Sequence, residues 1–228
     1  MSRRMYLTGA EIKSMLETIE QKLKSACCPP SQITIDTTPE QTGEIAWLTF
    51  SPSAYAKMLA LVMDYETEVQ WHGIIRRTDA PCEFYVEDIL IFPHTTSSAT
   101  VISDQEQYEE WLDKLDDDTF NHLRFHGHSH VNMSVFPSET DKDYRKNLVS
   151  KISAQDDNPY YIFLIINKKH QITAQIFDIQ NNIIYDSNDI IVDVDLGDNG
   201  ELSDFLKDAH LVAKAAVVPA TENQLTKK

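Results

Sequence analysis

Apolar positions recur at helical spacing from Thr8 to about Ser25, at Ile12, Met15, Leu16, Ile19 and Leu23, and predict an amphipathic helix that the prolines at 29 and 30 end. The period then changes to two. QITIDT (32–37) and EIAWLTF (44–50) alternate like two strands of a hairpin or meander. SPSAYAKMLALVMDY (51–65) places a serine cap and a proline ahead of helical periodicity. EVQWHGIIR (68–76) and FYVEDILIF (84–92) predict strands, and DQEQYEEWLDKL (104–115) an acidic-capped helix. HLRFHGHSH (122–130) begins as a strand, and Ser138 to about Ile152 has the cap and spacing of another helix. YYIFLIINK (160–168) is nearly unbroken apolar sequence with the length of a central strand, joined through the polar NKKH turn to QITAQIFDI (171–179).

These elements predict an α/β domain with a mixed central β-sheet flanked by helices over residues 41–195. A helical extension occupies 1–40 and a C-terminal extension 196–228. In the latter, the acidic stretch DVDLGDNGELSD leads to an amphipathic segment around Phe205 to Val217 and a frayed TENQLTKK. A chain of 228 residues is long enough to bury a full core. Its formal net charge of −16 argues against nucleic acid as a partner, because that binding needs lysine and arginine to displace counterions from phosphates. No stretch approaches the ~20 apolar residues of a membrane span, so no membrane partner is expected. Cys27, Cys28 and Cys82 form no spaced metal pair and leave one over if any two join, which fits a reducing cytoplasm.

The concentrated chemistry lies in HGHSHVNMSVFPSETD (126–141). Residues two apart in an extended segment point the same way, so an H-x-H pair at a strand end can place two imidazoles on one ion. His126 with His128, or His128 with His130, satisfies that condition. Asp141 lies three residues after Ser138, so both share one face of the first turn of the following helix. The Phe136-Pro137 break lets that turn fold back over the strand end. Zinc suits such a set: imidazole nitrogen and carboxylate oxygen are its ligands, and a catalytic site keeps three of them with the fourth position open to water.

His128-Ser129-His130, seven residues, Ser138, two residues and Asp141 spell H-x-H-x7-S-x-x-D, and here the chain resembles the JAMM (MPN-plus) zinc metallopeptidases. The resemblance covers about residues 50 to 190. It implies a cytidine-deaminase-like α/β fold, one Zn2+ per chain on His128, His130 and Asp141, and Glu68 as general base, with Glu66 in reserve because strand alternation points both the same way. It also implies that Ser138 donates to the tetrahedral oxyanion. The implied reaction is hydrolysis of a peptide or isopeptide bond, releasing or processing a ubiquitin-like protein. Where the commonest family form has proline after the second histidine, this chain has Val131, and no insertion for gripping ubiquitin is recognisable. Both features resemble bacterial or phage-type members, which are associated with ubiquitin-like processing beside activating (E1-like) and conjugating (E2-like) proteins, with sulfur-carrier processing, or with defence operons.

Two other classes compete. A different metal-dependent hydrolase needs further histidine and acidic clusters, and none follows; a non-catalytic scaffold of the MPN type would lack metal ligands that are all here. The remaining residues read more plainly. His126 is expected either to face away from the site with no role or to support it, although alternation could also put it on the ligand face, and His72 is expected to be a core histidine or one that supports the site rather than a ligand. His94, His122, His170 and His210 stand alone, Asp116 to Asp118 form a solvated loop, Trp71, Trp111 and Phe136 belong to the core, and Cys82 has no base to activate it.

Overall fold

A computed structural model describes residues 2–26, 28, 32, 40–96, 101–102, 105–152, 159–197 and 207. The chain divides into two units, Met1–Asp195 and Leu196–Lys228. All that follows concerns the first. The amphipathic segment expected around Phe205 to Val217, the TENQLTKK tail and His210 lie outside the described residues, Lys207 excepted, and so does all of QITIDT but Gln32.

The protein is an α/β structure built on a mixed nine-stranded sheet, with five α-helices among the described residues. Its strands are β1 (Arg3–Arg4), β2 (Ala46–Phe50), β3 (Gln70–Arg77), β4 (Glu83–Leu90), β7 (Leu123–Ser129), β8 (Tyr160–Ile166), β9 (Ile172–Asp178), β10 (Ile183–Tyr185) and β11 (Ile190–Val194). A separate two-stranded ladder pairs β5 (Thr95–Thr96) with β6 (Val101–Ile102). The order across the main sheet is β1-β10-β9-β8-β7-β3-β4-β2-β11. The pairs β7/β8, β4/β2 and β2/β11 are parallel and the others antiparallel. The helices are α1 (Gly9–Ser25), α2 (Pro52–Asp64), α3 (Gln105–Leu112), α4 (Asp117–Asn121) and α5 (Glu139–Ile152).

β8 explains why its sequence does not alternate: every residue is buried, because both faces are covered. Tyr160, Ile162, Leu164 and Ile166 join the main core, where α2 adds Ala54, Met58 and Val62. Tyr161 and Phe163 join a smaller cluster with Val149 of α5. The same alternation governs β7. Phe125 belongs to the main core, whereas the His126 ring lies 5.0 Å from Tyr144 of α5 and 6.4 Å from Phe163. The even-numbered residues of β7 therefore face α5.

Several expectations change. β2 takes parallel neighbours on both sides, β4 and β11, so EIAWLTF forms no hairpin with a preceding strand. Arg3 and Arg4 pair with Ile184 and Ile183, which carries the sheet into the segment expected to be a helical extension; two residues are too short to show a period. The helix in that segment does form, closed by a reciprocal Thr8–Glu11 cap. None of its residues is buried, and Ile12, Leu16 and Leu23 are exposed. Asp116 to Asp118 are not a loop. Asp116 caps α4 by accepting from the Thr119 amide, and Asp118 holds Arg76. No described helix is long and apolar enough to cross a membrane.

Candidate metal centre

The site gathers at the end of β7. His128 lies on the strand and His130 just beyond it, where its amide donates to Ile166 O of β8 (2.9 Å). Two residues apart, both side chains emerge on the α5 face, and their Nε2 atoms stand 3.1 Å from each other. His128 Nε2 is also 3.5 Å from Asp141 Oδ1. Two ligands held about 2.0–2.1 Å from one ion at tetrahedral angles stand about 3.3–3.4 Å apart, so the spacing suits a single ion. One atom from each of His128, His130 and Asp141 lies within 4.8 Å of the others, and among the described residues this is the group that could hold a metal ion.

The remaining atoms of these residues are turned to hold that arrangement. His130 Nδ1 meets Ser134 O at 2.6 Å, and because a carbonyl only accepts, the proton sits on Nδ1 and leaves a lone pair on Nε2. Asp141 Oδ2 accepts from the Ser138 amide and hydroxyl, each at 2.7 Å, while the Asp141 amide donates to Ser138 Oγ (3.2 Å). The carboxylate is thus fixed as part of the helix start, with Oδ1 left for the histidines.

Electrostatics favours the same ionisation states. Burial pushes the His128 imidazole below its ordinary range, against the pull of Asp141. Burial alone would raise Asp141, but His128 and the Ser138 hydrogen bonds outweigh it and hold the carboxyl below its usual value. A neutral imidazole and an ionised carboxylate are the forms that bind metal.

Glu68 lies on the wall of the 430 Å³ pocket that His128, His130, Ser138 and Asp141 share. Its neighbours anchor it: the Val69 amide donates to Ser129 Oγ (3.1 Å) and the Ser129 amide returns to Val69 O (2.9 Å). The Glu68 carboxyl is raised chiefly by burial, with His130 opposing and Asp141 adding to the rise. Glu66 goes elsewhere. Its side chain is 83% exposed and accepts from Lys168 Nζ at 2.7 Å. The alternation expected to align the two glutamates fails because β3 begins only at Gln70, and Glu66 sits in a bend before it.

No family model matches this chain, and no curated protein matches it.

The other singled-out residues scatter. Trp71 is fully buried, and Trp111 lies in an aromatic group with His72 and Phe92. Phe136, expected in the core, is 78% exposed and lines the same pocket with Met133. Its place in a loop between strand and helix, beside Pro137, was the signal that no core face could claim it. His72 is buried as expected, and His94 accepts from the Gln70 amide while donating to Phe92 O. His122 meets Arg76 and Asp118. Ser129 and Ser134, which hold Val69 and His130, carry no sequence signal beyond proximity to the histidines. Cys82 Sγ accepts a hydrogen bond from the Tyr185 hydroxyl.

Val131 adopts φ +44°, the left-handed region. A β-branched residue there is strained, and proline, locked near −65°, cannot take it. Proline at position 131 is therefore incompatible with this turn.

Proposed function

We propose that this protein is a zinc-dependent peptidase or isopeptidase of the JAMM kind, acting on a ubiquitin-like protein or a peptide. One observation carries the proposal: His128 Nε2, His130 Nε2 and Asp141 Oδ1 converge while Glu68 lines the same pocket without belonging to the metal-holding group. A base that serves the reaction must reach the nucleophilic water and leave the ion's coordination to others. Zinc bound there would lower the pKa of its water toward ~7 and polarise the scissile carbonyl.

The chain's own groups do the rest. Glu68 takes the proton of the attacking water and hands it to the leaving amine, and burial shifts its carboxyl upward, the direction that makes it a stronger base. Ser138 donates to Asp141 in the resting arrangement; rotation about its Cα–Cβ bond re-aims the hydroxyl at the developing oxyanion. His130 is kept in one orientation by Ser134. Exposed Phe136 and Met133 offer an apolar edge to the substrate chain.

The test is metal content by elemental mass spectrometry for wild type and His130→Ala, with cleavage assays on ubiquitin-like fusions. About one zinc per chain in wild type, its loss in the variant, and cleavage abolished by chelator and restored by zinc are expected. A wild-type protein that binds no divalent metal even when zinc is supplied overturns the proposal.

A further inference from the structure

Helix α1 is amphipathic and buries nothing: none of its 17 residues is buried within its own chain. Helices in proteins draw most of their stability from packing an apolar face, so this one lacks the support its sequence is built for. Its start is fixed. The Met5 amide donates to Asn182 O (3.1 Å), the Tyr6 amide donates to Asn182 Oδ1 (2.9 Å), and Thr8 and Glu11 cap the first turn.

Beyond the cap, Ile12, Leu16, Ile19 and Leu23 follow at intervals of four, three and four residues, the alternation that keeps side chains on one coiled-coil seam. Ile12 is 46%, Leu16 60% and Leu23 48% exposed. Ser14, Glu17, Thr18 and Gln21 occupy the opposite face, so the apolar stripe has a polar back. Covering such a stripe removes hydrocarbon from water, and charge decides what can cover it. Glu11, Glu17 and Glu20 balance Lys13, Lys22 and Lys24, which leaves no basic face for an anionic lipid surface, and a chain of net charge −16 is repelled by one.

A second copy of the helix fits. Laid antiparallel, with Ile12 against Leu23 and Leu16 against Ile19 of the other copy, all four seam residues of each helix are paired at once, and the twofold axis passes between Glu17 and Thr18. Lys13 and Glu20 each follow a seam isoleucine directly, and in this arrangement they face each other across the seam twice, once on each side of the axis. Glu20 already holds Lys24 Nζ at 2.5 Å through Oε1, which leaves Oε2 for the lysine of the second copy. A parallel pair offers no such match: Lys13 would face Thr8 and Glu20 would face Met15. Leucine at the a positions and isoleucine at the d positions would also favour a larger parallel assembly over a dimer, whereas every antiparallel layer joins one leucine to one isoleucine.

We propose that α1 is a homodimerisation element, pairing antiparallel with α1 of a second copy along Ile12, Leu16, Ile19 and Leu23, with Lys13 and Glu20 setting the direction. The proposal stands apart from the peptidase reading. At about 25 Å the seam is short, so the dimer is weak and reversible.

The test is sedimentation equilibrium of the full-length protein at about 0.15 M salt, from about 1 μM to about 1 mM chain. The average mass should climb from that of one chain to that of two. Leu16→Glu should hold it at one chain while thermal unfolding stays as in wild type, since no buried residue is touched. Lys13→Glu and Glu20→Lys should each weaken the dimer about tenfold, because each turns two opposite-charge pairs into like-charge pairs. The double variant should regain the wild-type affinity. A protein that stays a single chain throughout overturns the proposal, as does a dimer that survives Leu16→Glu. A dimer indifferent to both single charge reversals, or an assembly of four chains, overturns the antiparallel pair.

Discussion

Replacing Val131 by proline and by glycine should move stability in opposite directions. The valine sits at φ +44°, and its carbonyl accepts from the Lys168 amide at 2.7 Å. On either side the chain is pinned: the His130 amide donates to Ile166 O (2.9 Å) and the Met133 amide to His130 O (2.7 Å). A left-handed conformation costs an L-residue about 1–2 kcal/mol, more for a β-branched one. Glycine removes that strain but adds up to about 1 kcal/mol of backbone entropy, so Val131→Gly should stabilise by about 0.5–1 kcal/mol. Proline would need a φ about 110° away, and it must either break the Lys168 bond or drag His130 with it; about 3 kcal/mol of destabilisation is expected. Urea unfolding in chelator reads the first effect and a zinc competition assay the second. Val131→Gly should raise the midpoint and Val131→Pro lower it while weakening zinc binding. A proline variant equal to wild type in both assays would refute the left-handed turn and the strain argued from it.

Glu68→Gln should keep its zinc and lose about 10²–10⁴-fold in turnover, measured on any substrate the wild type cleaves. Glu66→Gln should keep both, since it gives up only an exposed ion pair with Lys168 worth less than about 1 kcal/mol. Gly127→Ala would drive a methyl into the indole of fully buried Trp71, and a loss of about 1–3 kcal/mol or more is expected by thermal or urea unfolding. Folded His72 is held neutral by burial down to about pH 4, whereas unfolded it protonates near 6.5. The unfolded chain thus binds the extra proton in that window, so stability should be level above pH 6.5 and fall by up to about 3 kcal/mol toward pH 4. Buried His126 adds in the same direction, and His72→Phe should flatten the slope seen in urea midpoints against pH.

What the sequence made legible follows from how strongly each element is patterned. α2, β8 and β9 are long, with clear caps or periods, and the pattern placed them. β1, β10 and α4 are short, and their residues are chosen by neighbours distant in sequence: Arg4 needs Ile183, and Asp118 needs Arg76. No local period encodes such partners. The trio that could hold a metal was readable because one strand end and one helix cap bring it together within a single stretch. Seeing that Glu68 and Glu66 part company, one in the pocket wall and the other on Lys168, required knowing that β3 starts only at Gln70.

β7 lies at the middle of the sheet, parallel to fully buried β8 and antiparallel to β3. The histidines therefore hang from a scaffold whose cohesion comes from hydrocarbon and backbone ladders, so that any ion they took up would be a late guest. If the site does hold a metal, such a scaffold would let it be filled after folding and let one metal replace another without passing through an unfolded chain. Metal supply would then govern when the site works, and protein turnover would govern how many sites exist, two controls that a metal-folded domain cannot separate.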